Sequence, residues 1–350
     1  MKLQSPRSRR LLILLGLSLV ACGVARAQVS NSQAQDTVTG SQSPARPASQ
    51  AGTPQASQPV RLNVIVTDES HRFVADLRQE DFRVEVDGLP QPITVFAQES
   101  PALSYSLLVD NTASLRTIFD HVLKTGEAII AGKNQQDEMS VVRFTGRDQI
   151  ELMQDFTRNR NALVAALNEM YIDGGQTALI EALYVAAETV VARAPGDERR
   201  RALVVVTDGG DRDTRAKLDE LLTYVRRHNV AVFVFGLTDA MSGDAFEQVK
   251  GGRRRARELL DTLARESGGY AVFPKKTSEF DAAALALNAR LQMPYYTLGY
   301  TSPPAAASNK PRKIEVKLAA PARNGDGNRP LRIDFRLQGA TAEAITPARK

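Results

Sequence analysis

The chain has 350 residues, 43% of them hydrophobic, with 45 basic against 40 acidic side chains and a net charge of +5. That is enough apolar material for one large domain or two, and the mild positive excess, with no dense Lys/Arg run interleaved with aromatics, excludes no protein partner but argues against nucleic acid. A single Cys and three scattered His (His71, His121 and His228) exclude a zinc site of the Cys/His kind.

Residues 1–27 read as an export signal. Arg7, Arg9 and Arg10 form its positive region, and Leu11 to Val20 form an apolar core too short to span a bilayer. Two processing sites compete. "ARA" (Ala25 to Ala27) is a small-residue cleavage site, whereas "LVAC" followed by Gly23 resembles a bacterial lipobox, with Cys22 as the residue to be acylated and cleavage after 21. Either ending places the protein outside the cytoplasm: periplasmic, secreted, or attached to a membrane by a lipid anchor alone. Residues 28–58 are rich in Gln, Ser, Pro, Ala and Thr with few large apolar residues, a composition expected of a disordered linker.

From Val60 the pattern changes. "VRLNVIVTD", "DFRVEVDG" and "QPITVFAQE" alternate apolar and polar residues as half-buried strands do, with "DGLP" as a turn, so 59–100 is predicted to be an N-terminal β segment. "RKIEVKLAA" and "LRIDFRLQG" in 302–350 show the same alternation. The two chain ends are expected to meet in one β-sandwich-like subdomain. Between them, over 101–301, strands alternate with helices. "SYSLLVD" is a strand, and Leu115, Ile118, Phe119, Val122 and Ile129 then recur at helical spacing. "MSVVRFT" follows, with "QIELMQDFT" as an edge strand, then helices "NALVAALNEM" and "TALIEALYVAAETVVA". "RALVVVTDG" and "VAVFVFGL" are continuous apolar strands, as expected where both faces are covered, separated by the helix "TRAKLDELLTYVRRHN". "RRRARELLDTLARESGG", "YAVFP", "EFDAAALALNARLQ" and a last strand "YYTLGYT" complete the series. This order predicts an α/β fold: a doubly wound, mostly parallel sheet with a flanking β subdomain.

In such a sheet, ligands bind beyond the carboxyl ends of the strands. Three polar clusters fall there: Asp110, Thr112 and Ser114 in "DNTAS"; Thr177 in "GGQT"; and Asp208 in "TDGGD". They offer carboxylate and hydroxyl oxygen without nitrogen or sulfur, the donor set of a hard divalent cation. The local alternatives are helix caps at Thr112, Ser114 and Thr177, and a simple turn at Asp208. Asp211 and Asp213 read as solvated loop residues and Asp173 as a turn aspartate. Lys250 to Leu260 reads as a basic loop entering a helix, "AMSGDAFEQ" as an insertion near the site end, and Tyr295, Tyr296 and Tyr300 as packing residues.

These motifs resemble the von Willebrand factor type A (VWA) domain, whose metal-ion-dependent adhesion site follows Asp-x-Ser-x-Ser, then a distant Thr and a distant Asp. Asp110, Thr112, Ser114, Thr177 and Asp208 match those positions, with Thr112 in place of the middle Ser. "VADLRQEDFRVEVDGLPQPITVF", "GGQTALIEALY", "RRALVVVTDGGD", "LARESGGYAV" and "YYTLGY" extend the resemblance over roughly residues 60 to 318, to the acidobacterial-type exported subfamily. The resemblance implies Mg²⁺ or Mn²⁺ touched by the hydroxyls, aspartates acting largely through bound water, an open position for an Asp or Glu of a partner protein, and no catalysis. Two other classes are set against it. A metal-independent VWA-fold scaffold would keep the fold and lose the ion. A haloacid-dehalogenase-like phosphatase would need a second Asp where Thr112 stands, and Thr cannot shuttle a proton near neutral pH.

Overall fold

The computed structural model describes residues 59–69, 72–193, 199–241, 251–301, 312–319, 331–338 and 345–347. The signal segment with Cys22, the linker at 28–58, most of the "AMSGDAFEQ" insertion and the loop at 321–330 lie outside the described residues.

A six-stranded sheet forms the centre. Its strands are β5 (Leu103–Asp110), β6 (Glu138–Phe144), β7 (Ile150–Thr157), β8 (Arg200–Thr207), β9 (Val230–Gly236) and β10 (Ala271–Val272), in the order β10-β9-β8-β5-β6-β7. All pairs are parallel except β6–β7, which is antiparallel at the edge, as expected for "QIELMQDFT". β5 lies inside the sheet and all eight of its residues are buried. Its alternation feeds two cores. Leu107 and Val109 pack with α1 (Phe119–Ala131), α2 (Arg160–Asn168) and α6 (Phe280–Leu291) on one face. Leu108 packs with α3 (Leu179–Arg193), α4 (Leu218–Arg227) and α5 (Gly252–Ser267) on the other. Two covered faces explain why β5, β8 and β9 read as continuous apolar runs.

The flanking β segments form two four-stranded sheets. One has the order β13-β1-β11-β4, made of β13 (Arg332–Gln338), β1 (Pro59–Thr67), β11 (Tyr295–Thr301) and β4 (Ile93–Glu99). The other has the order β14-β12-β2-β3, made of β14 (Ile345–Pro347), β12 (Arg312–Leu318), β2 (Phe82–Val86) and β3 (Leu89–Gln91). Between β2 and β3, Asp87 (φ 53°) and Gly88 (φ 81°) both take the left-handed conformation that a tight hairpin needs. Val60, Leu62, Val64 and Val66 of β1 face Val84, Val86, Ile314 and Val316 in a common core, and each such burial contributes roughly 1.5–3 kcal/mol. The two chain ends therefore meet, as the alternation predicted.

One strand differs from expectation. "YYTLGYT" does not close the parallel sheet; as β11 it runs antiparallel between β1 and β4. Tyr296, Leu298 and Tyr300 alternate into the sandwich core. The Tyr296 hydroxyl donates to the Val74 carbonyl at 2.7 Å and accepts from the Leu77 N–H at 3.2 Å. On the opposite side of the strand, Arg200 lies 5.3 Å above the Tyr295 ring. β11 is buried on both faces because it joins the two layers, so its apolar run resembles a parallel strand.

Candidate metal centre

β5 ends in Asp110, and its side chain is held from two directions. Oδ1 accepts from the Thr112 N–H at 3.0 Å and the Thr112 hydroxyl at 2.7 Å. Oδ2 accepts from the hydroxyl of Thr207, the last residue of the neighbouring β8, at 2.6 Å. Thr112 Oγ1 lies 3.0 Å from Ser114 Oγ. Thr112 is the residue before the short 3₁₀ turn Ala113–Ile118, yet its hydroxyl caps nothing; it turns back on Asp110 instead.

Asp208 follows Thr207, and its Oδ1 accepts from the Gly210 N–H at 2.8 Å. The turn expected there is thus present, and it leaves the carboxylate beside the second loop. A Cβ on Gly210 would stand 3.0 Å from Thr177 Oγ1 and 3.2 Å from Asp208 Oδ1. The glycine allows these two oxygens to approach a common point. Thr177 is not needed as a cap. The first N–H groups of α3 are taken by the neighbouring loop: Ile180 N donates to Asp211 Oδ1 at 3.3 Å and Glu181 N to Thr214 Oγ1 at 3.0 Å. The Thr177 carbonyl accepts from Arg212 N at 2.7 Å and Asp213 N at 3.0 Å.

Asp211 and Asp213, expected to be solvated, are built into this junction. Asp211 caps α3, and burial raises its carboxyl to about 6 against the hydrogen bonds from Ile180 and Leu179. Asp213 accepts from the Arg147 N–H and guanidinium, each at 3.1 Å. Asp173 is more than a turn residue: its N–H donates to the Asn111 carbonyl at 3.2 Å and its carboxylate lies 3.7 Å from Arg143. Arg143 escaped the sequence reading altogether. It donates to Glu151 at 3.0 Å and to the Tyr171 hydroxyl at 3.2 Å, and its guanidinium stacks 4.5 Å from the Tyr171 ring. An arginine inside the apolar run "MSVVRFT" was the available signal.

The five expected oxygen-bearing residues are thus brought to one end of the sheet on three converging loops. Asp110 is fully buried, Thr112 is 2% exposed, Asp208 4% and Thr177 7%, while Ser114 is exposed. Two carboxylates crowded in this space repel. Burial, and then the charge of Asp208, raise the Asp110 carboxyl to about 7 despite its hydrogen bonds from Thr207 and Thr112. A cation would relieve both effects, so the donor set fits a hard divalent ion. Among the described residues there is no cluster of three or more His, Cys, Asp or Glu side chains able to hold a metal; this set would rely on two carboxylates and three hydroxyls.

The family model of the von Willebrand factor type A domain matches residues 106–283, more than half of the chain. The chain belongs to the VWA family. The VWA match begins within β5 and ends within α6, leaving both β segments outside it. Solved structures similar to it include an aerotolerance-related membrane protein from Bacteroides fragilis with multiple mutations to serines, 18% identical, covering 54% of this chain and 98% of that one with a TM-score of 0.42. A von Willebrand factor type A protein from Catenulispora acidiphila is 12% identical, covering 83% of this chain and 75% of that one with a TM-score of 0.44. The conserved hypothetical protein BatB from Bacteroides thetaiotaomicron is 14% identical, covering 54% and 97% with a TM-score of 0.42. No curated protein matches the chain. No helix among the described residues is long and apolar enough to cross a membrane.

Proposed function

We propose that this VWA protein is an exported, divalent-cation-dependent protein-binding module of the acidobacterial-type subfamily, without catalytic activity. The observation that carries the reading is the buried pair Asp110 and Asp208, mutually repelling and surrounded by the hydroxyls of Thr112, Ser114 and Thr177. Mg²⁺ or Mn²⁺ would be held by those three hydroxyls directly and by the two aspartates largely through water. When bound, the ion supplies an electrophilic centre for a carboxylate of a partner protein, because uncharged direct ligands leave much of its charge unneutralised. Ser114 supports an open side, since it alone of the five is exposed. The Thr112 hydroxyl donates to Asp110 and accepts from Ser114, which leaves one lone pair for the ion, so the exchange of Ser for Thr retains the chemistry.

The signal-like N-terminus supports export to the periplasm or beyond, with Cys22 as an anchor point if the lipobox is used. A metal-independent scaffold is the second reading. It is favoured by one observation: Asp110 accepts three hydrogen bonds from the protein itself.

Calorimetric titration of the full chain with Mg²⁺ separates the two. The wild type is expected to bind, and Asp110→Ala to lose binding while keeping its circular dichroism and cooperative unfolding. Undiminished Mg²⁺ affinity in that variant removes the site assignment.

A further inference from the structure

Three of the segments around the Asp110–Asp208 cluster carry an arginine whose head is engaged by no acid among the described residues. Arg116 follows Ser114 by two positions and is exposed. Arg212 is exposed while its backbone N–H donates to the Thr177 carbonyl at 2.7 Å. Arg255 is exposed near the start of α5, next to Ala256, whose Cβ lies 3.1 Å from the point a Cβ on Gly209 would occupy. α5 therefore begins against the loop that carries Asp208. Among the described residues none of these three guanidinium groups has an acidic partner.

Nearby acids are already held by other arginines. Arg147 pairs with Asp213 at 3.1 Å and lies 3.6 Å from Asp148, Arg254 pairs with Glu258 at 2.8 Å, and Arg257 pairs with Asp239. Arg116, Arg212 and Arg255 thus stand, among the described residues, as exposed, unpaired cations around an acidic centre, and Arg255 is not where helix energetics would put it. α5 has no acid in its first turn and sets Arg253, Arg254 and Arg255 there, at the end of a helix whose dipole disfavours cations. Exposed cations of this kind attract an anionic partner to the rim and offer planar forks suited to further carboxylates.

Building on the metal-dependent reading above, we propose that the site takes an acidic segment of a partner protein, with one Asp or Glu on the cation and flanking acids on Arg116, Arg212 and Arg255. A single-stranded nucleic acid would present charge to the same arginines but needs a stacking platform. The exposed ring of Tyr171, 55% accessible, is already faced by Arg143.

The test uses the full chain in saturating Mg²⁺ and two labelled peptides of equal length: a single Asp in a Ser/Gly background, and the same Asp flanked by glutamates. Binding is followed by fluorescence anisotropy, with Mg²⁺ affinity titrated on the same samples. The flanked peptide should bind roughly tenfold tighter, the sum of a few exposed ion pairs, and the advantage should shrink as salt rises. The combined variant Arg116→Gln, Arg212→Gln, Arg255→Gln should lose that advantage and keep its Mg²⁺ affinity. Equal affinity for the two peptides, an unchanged advantage in the combined variant, or equally tight binding of a single-stranded DNA of the same charge overturns the inference. Mg²⁺ binding without preference for the flanked peptide removes this inference alone, whereas a wild-type chain that binds no Mg²⁺ removes it together with the metal reading.

Discussion

Both ends of the parallel sheet bury an aspartate, but in opposite company. At the amino end Asp137, just before β6, accepts from Leu103 N at 2.8 Å, Asn134 N at 3.0 Å and Gln292 Nε2 at 2.8 Å. A buried Lys133 stands beside it and donates to the carbonyls of Asn134 and Asp137. Burial lowers the Lys133 ammonium, and the Asp137 charge resists that shift. At the carboxyl end Asp110 also has three hydrogen bonds, yet its charged neighbour is another acid. Hydrogen-bond satisfaction is similar at the two ends, and charge balance is not. The amino end is a closed joint; the carboxyl end is left short of a positive charge, which is where a ligand has something to contribute.

The contrast can be broken first at the joint. Asp137→Ala would strand three donors, the Leu103 N–H among them fully buried, and leave Lys133 without its counter-charge, a loss of about 3 kcal/mol in urea unfolding. A loss below about 1 kcal/mol would mean that the amino end is not the closed joint described. A smaller effect should appear at the other end, with pH. Asp110 has a carboxyl raised to about 7 from 3.8, so the native state binds its proton more tightly than the unfolded chain does. Its contribution is full below the unfolded value and is lost as pH rises through about 7. Metal-free protein should therefore become less stable from about pH 5 to about pH 8, with Asp211 adding in the same direction, and Asp110→Asn should flatten most of that slope. An unchanged slope in the variant would assign the titration elsewhere. The smallest change is expected at Tyr105, whose buried hydroxyl has no hydrogen-bond partner among the described residues. Tyr105→Phe removes an unmet polar group and should leave stability within about 1 kcal/mol, on the stabilising side.

Much of this was legible in the sequence because it depended on local patterns. The continuous apolar runs of β5, β8 and β9 announced strands covered on both faces, and the polar residues at the carboxyl ends of β5 and β8 pointed to the candidate site. The role of Asp211 was not legible, since its partner is the start of α3, thirty-one positions earlier for Ile180. Arg143 was hidden for a similar reason: its acids, Glu151 and Asp173, come from an edge strand and a loop that only the fold brings together. β11 was misplaced because a strand shared between two layers has the same two-sided burial as a parallel strand, and only pairing distinguishes them. The Lys133–Asp137 joint sits in "GKNQQDE", which reads as an ordinary polar turn.

The strand order β13-β1-β11-β4 imposes a timetable on the chain. β1 is made early, but both of its neighbours are made late: β11 ends at Thr301 and β13 at Gln338. The central sheet can assemble as its βα units emerge, whereas β1 must wait with Val60, Leu62, Val64 and Val66 unshielded until nearly the whole polypeptide exists. During that interval the apolar face of this strand is open to misassociation, and a chaperone that covers it would guard against that.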